Sequence, residues 1–219
     1  MSKSKKCKNC EECDGEEGYP QTGGIRDGVW NTFIQQKKII ITESISDSLI
    51  EKAVLQIYAI NNYDDEQEAT YVGFKRTPIE VFINTNGGTL DEAFSLISAI
   101  ETSKTPVHTI ALGKAWSAGF LILLAGHVRF AQPWSNLMYH QGSAGITSEF
   151  SKAIEYAEYW KRTQRRVEEY VASRTKIKKK KLRKIFHHST DWYITTEEAI
   201  KHGVIEGIYG VDYVEEESE

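Results

Sequence analysis

The chain has 219 residues, enough for one well-buried domain and short for two. It is 40% hydrophobic and 26% charged, with a formal net charge of −4, a balance that gives no general reason to bind nucleic acid. No stretch reaches the roughly 18 apolar residues that span a bilayer, and the first 28 residues hold no apolar core of a secretion signal, so no membrane segment and a cytoplasmic location are expected.

Residues 1–28 are polar and without periodicity, which predicts a flexible leader and a candidate propeptide ahead of a single domain over 29–213 and an acidic tail over 214–219. Cys7, Cys10 and Cys13 stand together in the leader. They offer three thiolates where structural zinc takes four ligands, and the nearest histidine is His108, so a reduced polar tail is expected and no metal is assigned.

The first strand is predicted over 37–42 (KKIIIT) and an amphipathic helix over 46–62, with Leu49, Ile50, Ala53, Val54, Ile57 and Ile60 on one side. A polar loop is expected over 63–70, then a second strand over 79–85 (IEVFINT). That strand ends on Gly87-Gly88, one glycine more than a bare turn needs, which suggests a close backbone approach to a ligand or a reacting group. The helix that follows starts with Thr89 and Glu92 at capping-box spacing.

A third strand is predicted over 107–113, and "SAGFLILLAG" over 117–126 is apolar on every side, as a helix buried all round would be. Strands over 128–132 and 136–141 precede a long helix over 148–174, with Phe150, Ile154, Ala157, Trp160, Val167, Tyr170 and Val171 on one side. A basic helix, "KKKKLRKIFHH", whose charges read as a solvated face, leads to the strand "TDWYIT", the short helix "TEEAIKHG" and a last strand "VIEGIYG". Strands alternating with helices define an α/β fold with mostly parallel pairing, and no repeat is visible.

Ser117 sits between a strand and the apolar helix, where free N–H groups favour a developing negative charge; serine is also an ordinary helix cap at such a place. A serine nucleophile needs a base and a carboxylate that orients it. Among six histidines, His140 alone follows an apolar strand end and precedes a polar, glycine-containing loop, a setting that suits a base or a structural imidazole. Asp191 lies between "HHST" and "WYI", a setting that suits an orienting carboxylate or a turn residue.

"ALGKAWSAGFLILLAG" followed by "VRFAQPWSNLMYHQ" resembles the serine and histidine segments of the Clp protease proteolytic subunit, "TDWYITTEEAIKHGVIEGI" resembles its aspartate segment, and "INTNGG" is similar to its glycine-rich strand end. The resemblance covers about residues 30 to 210. It implies a spiral of β-β-α units shared with the crotonase group and a projecting handle helix. It implies Ser117 as nucleophile, His140 as general base, Asp191 as its orienting partner, and the Gly88 and Ala118 N–H groups as the oxyanion hole. An ATP-dependent serine endopeptidase is then expected, built of homo-oligomeric rings, seven-membered and stacked, that enclose the sites and degrade unfolded proteins. The chain has no phosphate loop of its own, so ATP would be used by a partner Clp-type ATPase unfoldase, with no cofactor in this chain. The chain departs from the family pattern at Asn86, where a proline is usual, at Trp116, at "QGSAG" after His140, and at Thr190, where an arginine is usual. Those departures leave a catalytically weak or inactive ring subunit with a structural or interaction role as the alternative, and a crotonase-type acyl-CoA enzyme as a more distant one.

Overall fold

The computed structural model describes residues 32–33, 35–143, 145, 147 and 149–212. The leader with its three cysteines and the acidic tail lie outside them.

Strands β1 (Lys38–Ile41), β2 (Ile79–Thr85) and β3 (Val107–Trp116) pair in parallel. Their β-branched residues are buried almost without interruption along β2, as expected of a strand covered on both faces. β3 is the longest strand and changes neighbour along its length. Its first half pairs with β4 (Val128–Ala131) and its last three residues with β5 (Asn136–Tyr139), both in parallel. β6 (Trp192–Ile194) runs antiparallel to β5, and β7 (Gly207–Ile208) lies parallel to β4. The main sheet is thus ordered β1-β2-β3-β4-β7, and β5 and β6 branch from the end of β3. The branch is what builds the site, because it brings three separate chain segments to one edge.

From residue 38 onward six helices accompany the strands among the described residues: α1 (Asp47–Thr70), α2 (Leu90–Glu101), α3 (Ala118–Ala125), α4 (Phe150–Arg174), α5 (Lys179–His188) and α6 (Thr196–Lys201). All eight residues of α3 are buried, as its uniformly apolar sequence requires. A buried helix end needs partners for its last carbonyls, and Arg174 supplies them, donating from Nε to Leu124 O at 2.8 Å and from its guanidinium to Gly126 O at 2.7 Å.

Three expectations are corrected. The polar loop at 63–70 is the last two turns of α1: Asp64 is fully buried, bonded to Lys37 Nζ at 2.8 Å and Thr105 Oγ1 at 2.7 Å, so acidic residues that look solvated are held by distant partners. Thr89 makes no side-chain cap bond; its backbone N–H goes instead to Ile45 O at 3.0 Å. Phe150 and Ile154 do not continue the buried stripe of α4: Phe150 is 82% exposed and Ile154 50%, while Val167 and Val171 further along are buried.

Candidate active site

The end of β2 is fixed by a short parallel bridge between Ile45 and Gly88. Ile45 N–H donates to Gly87 O and Thr89 N–H donates to Ile45 O, each at 3.0 Å. This pairing turns the N–H of Gly88 itself away from Ile45, and among the described residues it donates to no other group. A Cβ at Gly88 would lie 2.2 Å from Ile45 O, so only glycine permits the bridge. Gly87 has φ 102°, and a Cβ there would lie 2.7 Å from the Cβ of Ser117 and 2.8 Å from Trp116 O. Each glycine therefore has its own close approach, one to the bridge and one to Ser117.

Ser117 joins β3 directly to α3 with φ 55° and ψ −119°, a conformation that costs any residue with a Cβ. Its N–H is held by Met138 O at 2.9 Å and its carbonyl takes the N–H of Phe120 at 3.0 Å, so the sharp bend is fixed on both sides. The side chain makes no cap bond. Instead Oγ lies 2.7 Å from His140 Nε2. Ala118, the first residue of α3, leaves its N–H free among the described residues, at the positive end of the buried helix.

The strand pairing explains the meeting. Trp116 is registered with Met138 across β3 and β5, so Ser117 and His140 leave the same strand ends together. Tyr139 is registered with Trp192 across β5 and β6, so Asp191 arrives beside His140. Asp191 Oδ1 stands 3.4 Å from His140 Nδ1, with its side chain 49% exposed. Gln141 Nε2 donates to Ser189 Oγ at 2.8 Å, tying together the two loops that carry His140 and Asp191.

Three other histidines make contacts elsewhere in the fold. His127 Nδ1 accepts from Val107 N–H at 2.9 Å, and the rings of His202 and His187 pack edge-on against Trp192 and Phe186. Among the described residues no group of three or more His, Cys, Asp or Glu side chains could hold a metal ion. Nor is any helix among the described residues long and apolar enough to cross a membrane.

Ser117 and His140 open onto a cleft of about 360 Å³. Asn86, Gly88 and Ala118 line it, and so do Leu121, Tyr139, Trp160, Gln164 and Val167. Trp160, Gln164 and Val167 carry no local sequence signal for this position, because it is the packing of α4 against the body that brings them there. Trp116, beside the serine, stays out of the cleft: its indole N–H donates to Asn136 O at 3.1 Å and its ring packs edge-on against Tyr193. Thr190 is tied to its own turn through Ile185 O and His188 O.

A hydroxyl on a strained strand-to-helix bend, an imidazole on the hydroxyl, a carboxylate beyond it and free N–H groups alongside make the arrangement of a serine hydrolase. The family to which the chain belongs is that of the Clp proteases, whose family model, described as Clp protease, matches residues 22–212. Relatives include the ATP-dependent Clp protease proteolytic subunit 1 of Bacillus cereus, 27% identical over 82% of this chain and 88% of that protein. The proteolytic subunit 2 of Treponema denticola is 27% identical over 83% of this chain and 86% of its own length. The proteolytic subunit of Deinococcus radiodurans is 25% identical over 82% and 83%. The parallel sheet with its β5–β6 branch and long helix fits the fold expected of that family.

Proposed function

We propose that this chain is the proteolytic subunit of an ATP-dependent Clp-type protease, a serine endopeptidase that cleaves unfolded proteins. The observation that carries this reading is the 2.7 Å contact between Ser117 Oγ and His140 Nε2 at the mouth of the cleft. With the proton of a neutral imidazole on Nδ1, facing Asp191, Nε2 is free to take the hydroxyl proton as Oγ attacks the peptide carbonyl. The Gly88 and Ala118 N–H groups receive the charge that develops on the carbonyl oxygen. His140 then gives its proton to the leaving amine. A water activated by the same imidazole releases the acyl group from Ser117 and restores the site. Asp191 holds the tautomer and stabilises the imidazolium, and its 3.4 Å separation is expected to shorten as charge forms.

The chamber is a seven-membered ring, stacked in pairs, and folded substrates reach it through a partner ATPase that uses the ATP. The chain itself supplies the hydrolytic chemistry without a cofactor. In this reading residues 1–28 are a leader outside the catalytic domain. The competing reading, a weakly active ring subunit, is favoured by the exposed Asp191 carboxylate.

Peptidase activity of the wild type beside Ser117→Ala, with assembly size measured on the same samples, decides between them. Activity in the wild type, its loss in the variant and an unchanged assembly are expected. Equal turnover in both defeats the catalytic assignment, and no turnover in either selects the structural subunit.

A further inference from the structure

The cleft beside Ser117 has apolar walls at Leu121 and Val167 and polar atoms between them. Trp160 Nε1, Gln164 Nε2 and the Tyr139 hydroxyl are buried and carry no hydrogen bond among the described residues. Gln164 and Tyr139 are buried as whole residues, 8% and 2% exposed, so these groups belong to the interior of the site. The Gly142 N–H donates to Gln164 Oε1 at 3.4 Å, which occupies the carbonyl end of that amide and turns its NH2 end toward the Tyr139 hydroxyl, with neither group making a well-formed hydrogen bond. Burial, with the Glu168 charge adding to it and the Gln164 amide opposing, raises the Tyr139 phenol above its ordinary range and keeps it neutral. Two buried donors without an acceptor are costly in a folded chain unless a ligand brings one.

We propose that this recess takes the side chain of the residue whose carbonyl Ser117 attacks, and that Trp160 and Gln164 select a neutral primary amide there, glutamine above all. This rests on the peptidase reading above. The recess shares Gly88, Ala118 and Leu121 with the place where the attacked carbonyl lies, so the residue on the acyl side of the bond is the one that reaches it. A glutamine side chain matches it group by group. Its methylenes run along Leu121 and Val167, its carbonyl accepts from Trp160 Nε1 and Gln164 Nε2, and its NH2 donates to the Tyr139 oxygen. A lysine or arginine brings only donors to a recess whose unpaired groups at Trp160 and Gln164 are themselves N–H donors. A glutamate is opposed by the buried Glu168 near Tyr139. Methionine and leucine fill the space but leave both donors unpaired, the situation in which a site rejects a near-isostere.

The test is a set of short fluorogenic peptides that differ only at that residue, carrying glutamine, methionine, leucine, glutamate or lysine, with kcat/KM measured on the full-length assembly. Glutamine is expected to exceed methionine by at least about tenfold. Gln164→Met keeps the bulk and Trp160→Phe keeps an aromatic ring of smaller size, both remove the N–H groups, and each is expected to bring the glutamine-to-methionine ratio down toward one. Because the readout is a ratio, a general loss of activity in a variant cancels. Methionine or leucine cleaved as well as glutamine by the wild type overturns the proposal and leaves the peptidase reading standing, as does a ratio that neither variant moves. No turnover of any peptide, with no fluorophosphonate attached to Ser117, overturns both.

Discussion

Ser117 carries its hydroxyl on a backbone that a residue with a Cβ does not adopt without cost, φ 55° and ψ −119°. Such a conformation costs about 1–3 kcal/mol and persists here because Met138 O and the start of α3 hold the bend. Two substitutions separate the strain from the chemistry. Ser117→Ala keeps the Cβ and the strain, whereas Ser117→Gly removes both, so denaturant unfolding is expected to find the glycine variant about 1 kcal/mol more stable than the alanine one. Neither should cleave peptides. Gly87 stands on the other side of the same contact. Gly87→Ala would put a Cβ 2.7 Å from that of Ser117 on a backbone at φ 102°, and it is expected to cost more than about 1 kcal/mol along with most of the activity. Asp191→Asn keeps the shape but favours the wrong imidazole tautomer. A fall in kcat of about 10²–10⁴-fold with KM little changed is expected in steady-state kinetics, and an unchanged kcat would remove Asp191 from the mechanism.

At the scale of elements, what was legible in the sequence and what was not divide along physical lines. β2, α3 and the core of α2 could be read because their apolar patterns are local and strong. The last turns of α1 could not, because the partners that hold the acidic run, Lys37, Arg76 and Thr105, come from other segments. For the site, "INTNGG", Ser117, His140 and Asp191 stand in recognisable local settings. Trp160 and Gln164 do not, since they reach the cleft only through the packing of α4. A capping box did form, but at Thr195 and Glu198 on α6, where the Glu198 N–H meets Thr195 Oγ1 at 3.3 Å. Thr195→Ala is expected to lower stability by about 1 kcal/mol while kcat is unchanged, measured by thermal unfolding beside peptidase assays. The main sheet also has an acid-sensitive point. Burial, with the charge of His127 adding to it, lowers His108 below the ordinary histidine value of 6.5. The unfolded chain then binds more protons than the folded one between that lowered pKa and 6.5, so stability falls as pH drops through this window. Tm should therefore decrease from pH 7.5 toward pH 5, and His108→Phe should flatten that slope.

At the scale of the whole molecule, α4 poses an unbalanced account of surface. From Thr163 onward it buries Thr163, Gln164, Val167, Glu168 and Val171 against the body, yet no residue of 150–162 that is described is buried, although Phe150, Ile154 and Tyr159 are there. Tyr156, Tyr159 and Trp160 form a cluster of rings on the same stretch, with centroids 6.1 to 6.3 Å apart. Isolated exposed apolar residues need no explanation, but Phe150 and Ile154 stand one helical turn apart on the same side of α4, and such a pair at the free end of a helix marks a surface made to be covered. In the proposed assembly a second ring covers it, so the contact is between copies of this chain. A charge at its outer end would have to be desolvated without a partner on every copy. Phe150→Glu combined with Ile154→Glu is therefore expected to reduce the particle from a double to a single ring by mass photometry or sedimentation, while far-UV circular dichroism stays that of the wild type. The peptidase rate should fall with the particle mass, because Trp160, six residues along the same helix from Ile154, also lines the cleft beside Ser117. A double ring that survives both charges would place the ring contact elsewhere on the molecule and leave the apolar face of α4 to a different partner.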